Sequence, residues 1–219
     1  MDSAPRSRTL IALPLAAALI SLLAACATPP PAAQRMNIPP MGTVSTYHRI
    51  SSGSFGDYDG KVVWTFAPST WEGKPVIAFG APQAGVSLHD PVSFAQVASL
   101  TPAGKPYVSY DPPLDYAWPL TVGKTWRSVN TVTVQATGQK TSVTTDFKVA
   151  AFEKITVPAG TINAYRLEWV NSQGESETRW VAPTEGILTV KRHVVRAASH
   201  PQGPGVLDAE LLSQVMPSR

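Results

Sequence analysis

Three kinds of residue in this chain of 219 could do chemistry: four histidines, fifteen carboxylates and a single cysteine. The histidines are His48, His89, His193 and His200. No two stand at i, i+4, and H-E-x-x-H, which puts two metal-binding rings on one helix face, does not occur. His89 precedes Asp90 in Leu88-His89-Asp90-Pro91, a base beside a carboxylate that could orient it. Adjacent side chains on a strand leave opposite faces, however, so the two cannot work as a pair. A serine nucleophile on a sharp elbow needs G-x-S-x-G, and Gly53-Ser54-Phe55-Gly56 has another spacing. Asp111, Asp115, Glu168, Glu175 and Glu177 could converge as a carboxylate pair for glycoside hydrolysis, but their spacing selects no two of them. Asp57 and Asp59, within Gly56–Gly60, suggest a calcium loop. The twelfth position counted from Asp57 is Pro68, which has no carboxylate to offer, so the stretch reads as a turn. No metal or cofactor is expected, and an envelope hydrolase is the weakest functional reading.

Cys26 has no partner for a disulfide and no second thiol for a Cx₂C metal site. Its position carries the information. Arg6 and Arg8 precede an almost wholly apolar run from Thr9 to Ala25, which ends in small residues at Ala24-Ala25. That is the pattern of a secretory signal peptide over residues 1–25. The run is shorter than the roughly 20 residues that span a bilayer, and Pro14 interrupts it. Leu23-Ala24-Ala25-Cys26 resembles the lipobox of bacterial lipoproteins. The resemblance implies cleavage before Cys26, acylation of its thiol and amino group, and membrane attachment through those acyl chains. Ala27, where an Asp would favour inner-membrane retention, implies the outer membrane if the source has two. Ala25-Cys26-Ala27 is also a loose match to an ordinary cleavage site, and the competing reading of Cys26 is a buried free thiol that falls there by chance.

The formal charge is +3, and removing Asp2, Arg6 and Arg8 lowers it by only one. The charges are scattered without a basic stripe, so nucleic acid is not an expected partner. Five of the fourteen residues from Ala27 to Pro40 are Pro. Residues 26–41 therefore read as a lipidated Cys with a semi-rigid tether of roughly 40 Å, at about 3.1 Å per residue. Ordered structure is expected from near Gly42, and residues 42–219 form one domain with no further linker to divide it.

The elements that would position any site are short alternating runs ended by Gly, Pro, Asn or Asp. Val62, Trp64 and Phe66 share one face of "KVVWTF", and Val63 and Thr65 share the other. Two such runs flank Thr137-Gly138-Gln139, a hairpin signal. Tyr165, Leu167 and Trp169 alternate with Arg166 and Glu168, and Trp180 on the next arm is expected near Trp169. Val157–Gly160 and Thr184–Gly186 read as turns, and "VLDAELLSQV" near the end reads better as a strand than as a helix. The class is all-β: a single antiparallel meander rolled as a barrel, half-barrel or sandwich, with one face of each arm apolar and the other wet.

Three segments, Trp118–Trp126, Ile155–Trp169 and Trp180–Arg192, resemble an uncharacterised family of bacterial envelope domains, the domain of unknown function 3108. That resemblance implies a curved β-meander and no established activity. Aromatic residues are the better candidates for recognition. Trp71 lies in "STWEGK", and Tyr110, Tyr116 and Trp118 lie in the stiff loop "YDPPLDYAWP". These four could meet an envelope protein, a glycan or a peptide, or the loop could instead plug one end of the sheet. The functional reading is a membrane-anchored structural or partner-binding module. The alternative is a carrier that holds a lipid or similar ligand in a half-barrel.

Overall fold

A computed structural model of the protein describes residues 31–81 and 84–218. The expected signal peptide, Cys26 and the start of the Pro-rich segment lie outside the described residues. The first six strands are β1 (Val44–Gly53), β2 (Tyr58–Trp71), β3 (Lys74–Ala81), β4 (Gly85–His89), β5 (Gln96–Leu100) and β6 (Pro106–Leu114). Six more follow: β7 (Thr125–Val134), β8 (Gln139–Val157), β9 (Gly160–Asn171), β10 (Glu175–Ala182), β11 (Ile187–Arg196) and β12 (Gly205–Val215). Each strand pairs with its sequence neighbours and β1 pairs with β12, so the meander closes into a barrel. Closure leaves no unpaired edge to solvent. Among the described residues, the helical structure is one 3₁₀ turn, Pro183–Glu185.

The alternation read from sequence sets the register in most of the wall. Val62 and Phe66 are buried on the inner face of β2, while Val63 between them is 47% exposed. The C-terminal run is indeed a strand: Leu207, Ala209 and Leu211 of β12 are buried, and its pairing with β1 closes the barrel. A bulge between Val149 and Ala151 changes the phase of β8 against β9. Beyond it the hairpin is covered on both faces. Tyr165 packs with Ala33 and Val181, whereas Ala164 and Val157 join Tyr47 and Leu211. The hairpin tip then reaches β12, where the Ala159 amide donates to the Leu211 carbonyl at 3.1 Å.

Two expectations are corrected. Trp180 does not face Trp169: it stands opposite Arg166, and Trp169 stands opposite Glu177. The tight turn after Asn171 fixes that register, and Trp180 Nε1 donates to Glu153 at 2.8 Å.

The second correction concerns the Pro-rich segment, whose described part is no free tether. Ala33 exchanges backbone hydrogen bonds with Leu120 at 3.0 and 2.8 Å, and the Asn37 amide donates to the Pro183 carbonyl at 2.9 Å. The Tyr165 hydroxyl donates to the Pro31 carbonyl. Met36, 6% exposed, sits among Phe66, Ile77, Phe79, Phe94 and Leu188. Residues 31–42 are thus a strap across the barrel end that carries the β6–β7 and β10–β11 connections. Gly186 makes room for it: its φ is 69°, and a Cβ there would lie 2.9 Å from the Asn37 carbonyl oxygen. The segment lacks periodicity because it bonds to loops rather than to a strand.

At the far end, the connection from Ala197 to Pro204 leans across the mouth. Ala197 donates to the Gly174 carbonyl at 2.8 Å, and the Gln202 side chain donates to the Tyr107 hydroxyl on β6.

Candidate functional site

The inner wall is not uniformly apolar. On β10 the inward row is Glu175, Glu177, Arg179 and Val181, three of them charged. The cross-strand row Arg49–Ala209–Arg192–Arg179–Leu167 runs along the inner faces of β1, β12, β11, β10 and β9. The expectation of a dry inner face and a wet outer face fails on these strands, because the charges find partners inside the barrel.

Glu177 is the hub, its side chain fully buried. Arg179 grips both its oxygens, with Nε at 2.5 Å and Nη2 at 2.9 Å, and Arg192 Nη2 donates to the same carboxylate at 3.0 Å. Arg192 Nε is also 3.0 Å away but poorly aligned for a hydrogen bond. Burial pushes the Glu177 carboxyl up; Arg179 and Arg192 overcome this and hold it below its ordinary value. Burial likewise opposes the charge on both arginines. For Arg179 the Glu177 carboxylate prevails and the pKa is raised, whereas Arg192 ends below its ordinary value. Nearer the far end, Arg196 Nε donates to Glu175 at 2.6 Å and its guanidinium lies 3.8 Å from the centre of the Phe55 ring.

Arg49 has no such carboxylate among the described residues. Its Nη2 donates to the Phe55 carbonyl at 3.1 Å, its guanidinium stands 5.9 Å from the Tyr58 ring centre, and its Nε is buried without a partner. Burial and the nearby Arg192 charge depress its pKa. A pocket of about 200 Å³ opens beside it, lined by Phe55, Gly56, Asp57, Tyr58 and Val62. Deeper on the same inner face, Tyr47 is 2% exposed and its hydroxyl has no partner within hydrogen-bond geometry. Burial raises that phenol, against the nearby Ser45 side chain and the fields of Arg179 and Arg192.

The structure also locates the residues singled out in sequence. Trp71 packs on Val76, Leu88 and Ala98. Tyr116 and Trp118 pack on the cluster of Ala33, Leu120 and Leu167, and the Tyr116 hydroxyl accepts from Arg179 at 3.3 Å. Tyr110 is half-buried, and burial with the Glu175 charge raises its phenol to about 12. Tyr116 and Trp118 thus help close the strapped end, and the four rings form no common exposed platform.

His89 is buried between Phe94 O at 2.9 Å and Ser87 Oγ at 3.0 Å, and Asp90 instead caps the amides of Val92 and Ser93. His48 pairs with Asp59, which lies in β2 rather than in a turn, at 2.7 Å; His193 pairs with Asp208 at 2.8 Å. The five carboxylates do not converge. Glu168 bonds Arg166 at 2.5 Å, Asp115 accepts from the Tyr116 amide at 2.7 Å, and Asp111 is exposed. A larger open depression of about 580 Å³ lies on the β7–β8–β9 wall, centred on Trp126, Phe147 and Trp169 and rimmed by Arg127, Asp146 and Lys148.

Arg49, Arg179, Arg192 and Arg196 were not singled out in sequence. The signal available was the i, i+2, i+4 spacing of Glu175, Glu177 and Arg179, which looks the same for a wet outer face.

No protein-family model matches the chain, and no curated protein matches it. Among solved structures it is similar to the hypothetical lipoprotein YmcC from Escherichia coli, with TM-score 0.42 and 11% identity over 80% of this chain and 85% of that one. A candidate lipoprotein from Parabacteroides distasonis gives TM-score 0.40 and 11% identity over 83% of this chain and 99% of that one. A candidate exported protein with a YmcC-like fold from Bacteroides fragilis gives 0.40 and 10% over the same shares, 83% and 99%.

Proposed function

We propose that this chain is a non-catalytic envelope lipoprotein. Acyl chains on Cys26 hold it to a membrane, the outer one in a two-membrane cell. The barrel is a rigid module that meets its partner on the side away from the lipid. The observation that carries this reading is the strap. Pro31 is already bonded to the barrel, and the five residues from Cys26 to Pro31 reach at most about 18 Å. The strapped end would therefore lie close to the lipid surface and the arginine-lined end would face away from it. No helix among the described residues is long and apolar enough to cross a membrane.

A filled interior supports the module over the apolar carrier. Apolar clusters and the Glu177 network occupy the barrel. The pocket at the far end, about 200 Å³, is below the roughly 300–1,000 Å³ of ordinary small-molecule sites, and the depression at Trp126, about 580 Å³, is an open surface rather than an enclosed cavity.

The test uses single thiols, because acylation would consume Cys26. Val122→Cys at the strapped end and Lys105→Cys at the far end are labelled with a membrane-impermeant maleimide in opened membranes. Lys105→Cys should react and Val122→Cys should be protected; equal labelling would overturn the orientation. Cys26→Ser should release the chain from the membrane fraction, and a variant still pelleting with membranes would overturn the lipid anchor.

A further inference from the structure

The far end of the barrel carries more positive charge than its carboxylates neutralise. Glu177 is shared by Arg179 and Arg192, Glu175 serves Arg196, and Arg49 has only a carbonyl and an aromatic face. Arg49 and Arg192 flank the small Ala209 on the inner wall, and each is held below its ordinary pKa by burial and a neighbouring guanidinium. Buried charge without a counter-charge is costly, and the usual remedy is an ion of opposite sign. The unmet groups on this face include two guanidinium donors, Arg49 Nε beside the pocket and Arg192 Nε beyond Ala209.

We propose that the pocket beside Arg49 is a binding site for a small organic anion, with a carboxylate head on the Arg49 guanidinium and an apolar body against Phe55 and Val62. A carboxylate matches the planar fork of a guanidinium and would compensate both Arg49 and Arg192. Phe55 and Val62 offer ring and methyl surface, which a bare inorganic ion cannot use. Asp57, exposed on the rim of the same pocket, is the one acidic side chain in its lining and opposes the ligand. The site lies at the end away from the strap and is independent of how the chain is anchored.

The probe is benzoate, added to the full chain and followed by amide chemical shifts, with inorganic phosphate and cyclohexanol as comparisons. Benzoate should bind saturably, shift Phe55, Gly56 and Val62, and weaken as salt is raised. Arg49→Gln should weaken it by about tenfold or more, as loss of a charge-assisted hydrogen bond does. Asp57→Asn, at an exposed rim position that leaves the barrel intact, should tighten it. Absence of saturable binding overturns the proposal. So does phosphate binding as tightly as benzoate, or cyclohexanol shifting the same amides to the same extent. If Arg49→Gln fails to fold, Asp57→Asn decides: benzoate affinity unchanged or weakened in that variant overturns the site.

Discussion

Replacing Glu177 by Gln removes one negative charge and almost no volume from a place where two guanidinium groups depend on it. Arg179 and Arg192 lie within 3.0 Å of the carboxylate, whose side chain is fully buried, while their own side chains are 18% and 19% exposed. Breaking a buried ion pair by removing one partner costs about 3–5 kcal/mol, since the surviving charge stays in low dielectric. Residual water at the arginines argues for the lower end, about 3 kcal/mol. For a domain of this size each kcal/mol moves Tm by roughly 2–4 °C, so Glu177→Gln should melt about 6–12 °C lower in calorimetry. Glu168→Gln is the control. Its partner Arg166 is 33% exposed and Glu168 itself 38%, where an ion pair is worth at most about 1 kcal/mol. A Glu177→Gln drop no larger than that of Glu168→Gln would refute the reading of Glu177 as the ionic hub. Replacing the whole set, with Glu177→Leu, Arg179→Met and Arg192→Met together, should recover stability over the single change, because neither guanidinium is then left without its carboxylate.

Acid should destabilise the fold in two stages, measured by denaturant titration across pH. His89 is depressed from 6.5 to about 4 by burial, so its unfolded form takes protons first and stability falls as pH drops below 6.5 toward 4. Glu177 is also depressed, so its contribution is whole above the unfolded value of about 4.3 and is lost as pH falls through the lower folded value. Met36→Ala should cost about 2–5 kcal/mol in urea unfolding, as removal of a buried core side chain does, whereas a free tether would register nothing. Trp169→Ala should cost about 2–3 kcal/mol, at or below the usual range because the ring is only half-buried, and Glu168→Ala less than about 1 kcal/mol. The reverse order would mean that β9 is out of register by one residue.

Much of the wall was legible in sequence because a strand shows its faces locally. Val62, Trp64 and Phe66 alternate with Val63 and Thr65 on β2, as Tyr165 and Leu167 do with Arg166 and Glu168 on β9, and that period of two needs no knowledge of the rest of the chain. The turns at Val157–Gly160 and Thr184–Gly186 were equally local, since Pro and Gly set the backbone angles themselves. The choice of a closed barrel over a half-barrel or sandwich was not local, because it rests on β1 pairing with β12 across the length of the domain. Nor was the strap: residues 31–42 have no period, and they are ordered by carbonyls and amides on Leu120 and Pro183. The ionic interior shows the limit most clearly. Glu175, Glu177 and Arg179 stand at i, i+2, i+4, a spacing that puts them on one face, and polar faces ordinarily meet water. The β10–β11 hairpin sets Arg192 beside Glu177, but only closure makes that face the inside of the barrel and puts Arg49 of β1 on the same inner wall, with no carboxylate bonded to it. Charge turns inward when a partner is waiting there; a hairpin can supply the partner, but which of its faces is enclosed is decided only when β1 and β12 meet.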